Sequence, residues 1–278
     1  MKLSIIFISI IFSSFAADLS EHVLMNDQNR ELLFKLANRF SDRVDERFSN
    51  KIQVICGLGQ SPTYLIEALK LLDASRQRRD REYKFVAFSG NLFKKIEQTE
   101  RPSKRTRIVQ SDDAFKEFAN INDYKFEFDW ENFPTKRCCR EYRKYLAKIG
   151  LSETDLVYSD KEFVLIDRCH YGLGIRSFLH IIKHYRKKPT IFFMHNYSTF
   201  TNQSPQSITL NKEEHDLMFA LSYDGNSIKF QDRLSQLFKS YLWRTIDPAQ
   251  FKPHDNALII LEALKKFHES KLLQSSKS

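Results

Sequence analysis

Four of the seven glycines in this 278-residue chain stand in two short segments, each after an apolar run typical of a β-strand. Gly57 and Gly59 form the first pair, and Gly172 and Gly174 form the second. Glycine lets backbone N–H groups approach a bound anion closely, and the N-terminus of a following helix adds partial positive charge. The two segments therefore predict a clamp for a phosphate or diphosphate group.

An acidic residue directly precedes the second of these segments. The apolar strand predicted over residues 163 to 167 ends in Asp167. Open sheets of parallel strands bind ligands at the carboxyl ends of their strands. We therefore expect Asp167 to lie at a ligand site. The predicted ligand-binding residues are Gly57, Leu58, Gly59, Gln60, Ser61, Tyr171, Gly172, Leu173, Gly174, Ile175 and Arg176.

Alternating strands and helices must position these residues. Apolar, β-branched runs predict strands over residues 52 to 56, 84 to 88, 163 to 167 and 190 to 194. Helical periodicity extends over residues 21 to 48, 64 to 72, 136 to 148, 175 to 185, 213 to 222, 230 to 243 and 256 to 268. Ser61 is expected to cap the second helix, with Pro62 as its first residue. The alternation predicts an α/β fold with a mainly parallel sheet flanked by helices.

The N-terminus has the composition of a cleaved signal peptide. Lys2 precedes an apolar run over residues 3 to 12, and small residues follow at Ser14 and Ala16. The apolar run is shorter than the roughly 20 residues that a membrane-spanning helix needs. We therefore expect residues 1 to 16 to be removed and the protein to be exported, either periplasmic or secreted, with no membrane span after cleavage.

The remaining residues, 17 to 278, are predicted to form a single α/β domain. Its core is expected over about residues 50 to 200, interrupted by an insertion over about residues 98 to 160. A helical C-terminal portion is expected over about residues 208 to 270. Among the four cysteines no CxxC spacing occurs, so the sequence does not predict a zinc site made of four thiolates.

The segment from residue 163 to residue 177 resembles the phosphoribosyl-diphosphate motif of the phosphoribosyltransferases. That motif is a strand that closes on acidic residues and continues into a small-residue loop and a helix. The resemblance implies a phosphoribosyltransferase-like fold in which Asp167 is the catalytic residue that holds the ribose and residues 171 to 175 wrap the 5′-phosphate. Residues 57 to 61 would take the place of the pyrophosphate loop, and Arg168 stands where the family has a second acidic residue. An active transferase of this kind would use Mg²⁺.

The predicted function is therefore the binding or transfer of a phosphorylated ribose or nucleotide ligand. One alternative is a noncatalytic exported scaffold that binds a nucleotide or a protein partner, with the basic residues 98 to 107 as the partner surface. Another is a cysteine-dependent phosphatase with Cys169 as the nucleophile and Arg176 as the phosphate clamp, although six residues separate them instead of the usual five.

The formal charge of +9 favours anionic partners and leaves nucleic acid among them. Three dense basic clusters contribute to this charge, at residues 76 to 79, 104 to 107, and 136 and 137. Such clusters are typical of solvated loops and helix faces. We therefore expect all three to lie on the surface.

Overall fold

The computed structural model describes residues 24, 26–49, 51–59, 62–86, 88, 92–95, 126–128, 135–168, 173–196, 207–223 and 255–276. The strands are β1 (Gln53–Leu58), β2 (Arg81–Val86), β3 (Phe93–Lys95), β4 (Phe126–Phe128), β5 (Glu162–Arg168), β6 (Thr190–Asn196) and β7 (Ser207–Leu210). The helices are α1 (Asp27–Phe48), α2 (Thr63–Ser75), α3 (Lys136–Lys148), α4 (Glu153–Val157), α5 (Leu173–Ile181), α6 (Lys212–Tyr223) and α7 (Asp255–Ser275).

Five of these strands form one sheet in the order β2-β1-β5-β6-β7, and every neighbouring pair is parallel. Strands β3 and β4 form a separate antiparallel pair. The predicted α/β class and the mainly parallel sheet are confirmed. Counted along the chain, the order of the five strands is 2-1-3-4-5, one of the doubly wound arrangements, in which the direction of winding reverses between β1 and β5.

Helices cover both faces of the sheet. Helices α1, α2, α6 and α7 pack on one face, and helices α3, α4 and α5 pack on the other. Alternate residues of β1 supply the two cores: Ile55 belongs to the first, and Val54 and Cys56 belong to the second. The buried face of each helix repeats with helical spacing, as in α1 at Phe40 and Val44. Among the described residues, helices thus cover both faces of the sheet and leave the ends of its strands open to a ligand.

The first strand is longer than the sequence indicated. The run predicted to end at Cys56 continues through Gly57 and Leu58, because both residues pair with β2. The predicted start of the next helix is also wrong by one residue. Helix α2 begins at Thr63, with Pro62 at the N-cap position and no side chain capping the helix. The proline still ends the incoming loop, since its carbonyl accepts the first helical hydrogen bond from Ile66 N, at 2.9 Å.

The second half of the chain confirms some predictions and adds one strand. Helix α3 has the predicted bounds, and α6 lies within one residue of them. Strand β7 was not predicted; it has four residues and pairs with the end of β6. The helix expected over residues 230 to 243 and the signal peptide lie outside the described residues. Within the part of the chain that the structure describes, no helix is both long and apolar enough to cross a membrane.

Candidate functional site

The carboxyl ends of β1 and β5 lie side by side at the point where the winding of the sheet reverses. Gly57 pairs with Ile166, the residue before Asp167. This register brings Leu58 and Gly59, at the end of β1, next to the end of β5. Two of the sequence-predicted groups, the first glycine pair and the acidic residue, therefore meet at one edge of the sheet, where doubly wound proteins bind ligands.

Gly59 fixes the direction in which the chain leaves β1. Its φ of +70° lies in the left-handed region, and its N–H donates to the carbonyl of Val86 at 2.9 Å. A Cβ atom at this position would stand 2.8 Å from the carbonyl oxygen of Phe88. The position therefore requires glycine for two reasons, the backbone conformation and the close approach of a neighbouring backbone.

Gly57 lets helix α2 begin close to the strand. A Cβ atom here would stand 3.0 Å from Cγ of Pro62 and 3.3 Å from Cγ1 of Ile66. The N-terminus of α2 therefore packs against the end of β1. Free N–H groups at a helix N-terminus carry partial positive charge, and this packing directs them toward the carboxyl edge of the sheet.

Asp167 is buried at the same edge, on the side of the sheet that α5 covers. Its residue surface is 9% exposed, and a Cβ atom on Gly174 would stand 3.4 Å from its Oδ2 atom. Burial raises the pKa of the Asp167 carboxyl to about 8, against the lowering effect of the Arg168 backbone N–H and of the Arg168 charge. The carboxyl group is thus mainly protonated at pH 7 in the ligand-free protein.

Arg168 lies on the opposite side of the sheet from Asp167. Its guanidinium carbon is 5.0 Å from the centre of the Phe219 ring, and its Nη2 atom is 3.5 Å from Nε2 of His215, both on α6. The Nδ1 atom of His215 lies 3.4 Å from a carboxylate oxygen of Asp216. Arg168, at the end of β5, therefore packs against side chains of α6 and not against Asp167.

The remaining predicted residues divide into three groups. Leu58 and Ile175 have buried side chains within the core, so only their backbone atoms can reach a ligand. Leu173 opens helix α5, Gly174 lies beside Asp167, and Arg176 is partly buried. Gln60, Ser61, Tyr171 and Gly172 lie outside the described residues, as does Cys169 of the phosphatase alternative.

Sequence reasoning missed a hydrogen bond that holds this edge together. The buried hydroxyl of Ser177, on α5, accepts from the backbone N–H of Leu92 at 2.7 Å. The bond joins α5 to the chain that follows β2. Its sequence signal is weak, because a lone serine between apolar helix residues is as typical of a solvated position as of a buried one.

These features define what the edge can do chemically. A protonated Asp167 donates a hydrogen bond to a sugar hydroxyl or a phosphate oxygen, and after ionisation it accepts hydrogen bonds from hydroxyls. The N-termini of α2 and α5 favour an anion beside it. Among the described residues, no group of three or more His, Cys, Asp or Glu side chains is arranged to hold a metal ion.

Comparisons with protein families and with curated proteins found no match for this chain.

Proposed function

We propose that the protein binds a phosphorylated ribose compound or a nucleotide at the carboxyl ends of β1 and β5, as a phosphoribosyltransferase-like protein. The observation that carries the proposal is the meeting of Gly59, Asp167 and Gly174 at the winding reversal of the sheet. A sugar phosphate matches both parts of this edge. Its phosphate suits the helix N-termini, and its ribose hydroxyls suit a carboxyl group that can donate or accept.

Transfer is the activity that the family resemblance implies. In that reaction the bond between the ribose C1 atom and the diphosphate breaks, the diphosphate leaves with the electron pair, and the acceptor forms the new bond. Asp167 would hold the ribose hydroxyls while the anomeric carbon becomes electron-poor. Such a site works mainly through positioning and charge.

Mg²⁺ remains part of this proposal only as a companion of the diphosphate. The described residues bring one carboxylate to this edge, which does not amount to the several oxygen ligands that a resident Mg²⁺ takes. A Mg²⁺ ion would therefore arrive with the diphosphate oxygens, and its effect on affinity is a separate arm of the test.

Binding without transfer is the second candidate function. The observation that favours it is the position of Arg168, which lies against His215 and Phe219 on the side of the sheet away from Asp167. Asp167 therefore has no acidic neighbour from the next position of β5. In this form the protein is an exported scaffold that holds a nucleotide or a protein partner.

The test is calorimetric titration of the purified protein with phosphoribosyl diphosphate, with and without Mg²⁺. We expect saturable binding that weakens at least tenfold in Asp167→Asn. The matched control is Asp160→Asn, which makes the same chemical change at an exposed residue before the opposite, amino end of β5. Equal weakening by both variants, or no binding by the folded wild-type protein, contradicts the proposed site.

A second measurement separates transfer from binding. Diphosphate release is followed after a mixture of purine and pyrimidine bases is added to the protein with phosphoribosyl diphosphate and Mg²⁺. Release that depends on a base and is lost in Asp167→Asn supports a transferase. Tight binding with no release supports the noncatalytic scaffold.

A further inference from the structure

Helix α3 carries a line of basic side chains on its outer face. Arg137, Arg140, Lys144 and Lys148 follow one another at spacings of three or four residues, so they lie on one side of the helix. All four are exposed; the Arg140 and Lys144 side chains are 65% and 60% accessible. Successive charges are separated by about 4.5 to 6 Å of helix rise. The result is a straight row of cations about 16 Å long.

Negative charge on the same helix offsets little of this row. Glu141 is the one acidic residue of α3, and its side chain is only 19% accessible. It accepts a hydrogen bond from Lys144 Nζ at 3.0 Å and lies 3.8 Å from Nε of Arg140. Against it the helix has six basic residues in all, so the outer face keeps a strong positive charge.

A second basic segment adjoins the row at the end of α5. Lys183, His184 and Arg186 are exposed there. Arg143, on the side of α3, donates to the carbonyl of Ile181 at 3.4 Å and so joins the two segments. The row on α3 and these exposed residues lie in the same helical layer on one face of the sheet, and together we call them the α3–α5 surface.

The apolar side of α3 is fully used inside the protein. Tyr142, Tyr145 and Leu146 are each about 2% exposed or less and belong to the core beneath the sheet. A helix that binds a lipid surface buries its apolar side in the membrane, and α3 has no such side to offer. The basic side of α3 faces outward, which fits the surface of a partner that is itself a regular row of anions.

We infer that the α3–α5 surface binds the phosphate backbone of nucleic acid without reading its sequence. Half of the six basic residues on α3 are arginines, whose planar guanidinium groups suit phosphate oxygens. Binding of this kind releases counterions, so its affinity depends steeply on salt. The surface belongs to the outer helical layer and not to the ligand edge, so this inference holds whether or not the proposed sugar-phosphate site exists.

The test is fluorescence anisotropy with a fluorescein-labelled duplex DNA of 20 base pairs, at several salt concentrations. If four phosphates are contacted, the logarithm of affinity falls with the logarithm of salt with a slope of about −3.6, or about a hundredfold between 50 and 200 mM. The variant Arg137→Gln, Arg140→Gln, Lys148→Gln is expected to bind at least tenfold more weakly. Its salt slope should also be shallower by about 3.

Two further variants control for total charge and for folding. Arg43→Gln, Lys265→Gln, Lys266→Gln removes the same number of exposed charges from α1 and α7, on the other face of the sheet. We expect its affinity to stay within twofold of the wild type. The variant Arg137→Lys, Arg140→Lys keeps the charge of the row and should bind nearly as well as the wild type. Thermal unfolding followed by circular dichroism confirms that each variant is folded.

Three outcomes overturn the inference. The first is no binding of the duplex by the wild-type protein at 50 mM salt. The second is an equal loss in the α3 variant and the α1–α7 control, which would mean that net charge alone attracts the DNA. The third is binding to vesicles that contain phosphatidylserine but not to the duplex, which would assign the surface to a lipid headgroup layer.

Discussion

The two ends of the same sheet hold buried charge in opposite ways. At the amino end, the Arg81 side chain is 1% accessible and is surrounded by partners. It donates to Oε1 of Gln53 at 2.8 Å, to Oγ of Ser41 at 2.8 Å and to Asp45 at 2.7 Å, and it pairs with Asp73 at 3.3 Å. At the carboxyl end, Asp167 is buried with no ion pair to it among the described residues.

The pKa values of the carboxyl groups at the two ends also shift in opposite directions. Burial opposes the charge of Asp45, but the hydrogen bonds and charges of Arg78 and Arg81 outweigh it and lower the Asp45 pKa. Burial instead raises the pKa of Asp167 to about 8. The amino end is a closed network whose charges satisfy one another, as a structural element requires. At the carboxyl end, the Asp167 carboxyl has no such partner among the residues that the structure describes, and a buried carboxyl group with a strongly raised pKa is typical of a functional site.

The largest expected effect removes the centre of the amino-end network. Arg81→Met should lower the free energy of unfolding by about 3 to 5 kcal/mol, because it leaves the buried carboxylate of Asp73 without its charged partner and removes one of the two arginines that bind Asp45. Urea unfolding measures the change. Arg76→Met is the control, since the exposed Arg76 side chain donates to Oδ1 of Asn38 at the surface, and losing that bond should change stability by less than about 1 kcal/mol. A similar loss in both variants would mean that the network is not structural.

The second prediction concerns pH and the carboxyl end. The folded pKa of Asp167 lies above its unfolded value, so the stability it allows is complete at pH below about 4. That contribution to the free energy of unfolding is lost as pH rises toward 8, and above pH 8 it no longer changes with pH. At about 1.4 kcal/mol per pKa unit, the loss is on the order of several kcal/mol. Asp167→Asn should remove this loss and be more stable than the wild type at pH 9 in urea unfolding.

The amino end should give the opposite pH dependence. The pKa values of Asp45 and Asp80 are lowered in the folded protein, chiefly through Arg78 in the case of Asp80. Their contribution is present above the unfolded pKa of about 4 and is lost as pH falls through the folded values. The loss of stability as pH falls below about 4 should therefore persist in Asp167→Asn. If that variant lost this acid dependence together with the loss of stability between about pH 4 and 8, the two ends of the sheet would not titrate independently.

A smaller effect is expected from the glycine that directs the chain away from β1. Gly59→Ala should cost about 1 to 2 kcal/mol for the left-handed conformation, and more if the carbonyl of Phe88 cannot move. Thermal unfolding measures the loss. No loss in this variant would show that the chain leaves β1 by another path.

The smallest effect on stability is expected at Gly174, although its effect on ligand binding should be clear. An added Cβ would make ordinary contact with Asp167 at 3.4 Å, and alanine favours the helix by roughly 0.5 to 1 kcal/mol. Gly174→Ala should therefore fold at least as well as the wild type but bind phosphoribosyl diphosphate more weakly in calorimetry. Unchanged binding would move the ligand away from Asp167.

The sequence predicted the parallel sheet because its signals are local. Runs such as residues 163 to 167 are apolar, β-branched and followed by glycine, and this local pattern predicts a strand whatever its neighbours in the sheet are. Strand β7 gave too little signal, with Ile208 and Leu210 as its only buried apolar residues. Strand β7 forms because it pairs with the end of β6, and the sequence of a short segment does not show which strand will lie beside it.

The chemistry of the two ends was harder to predict. The basic cluster at residues 76 to 79 suggested a solvated surface, yet Arg78 is bound to Asp45 at 2.6 Å and to Asp80 at 2.6 Å. Arg81 showed no sign of its burial, because Ser41 and Asp45 come from a helix much earlier in the chain. Asp167 was identified from its position after a strand, but its raised pKa depends on packing against α5. Partners distant in sequence decide the charge of a buried group.

The position of β1 at the centre of the winding reversal also affects how the protein assembles. One of its neighbours, β2, follows it after a single helix, whereas the other, β5, is added only after much more of the chain has been made. Contacts between distant segments form slowly. During synthesis the β1-α2-β2 unit can therefore form early, with one side of β1 unpaired until β5 arrives. An open strand edge promotes aggregation, so folding of this protein should be most vulnerable in that interval.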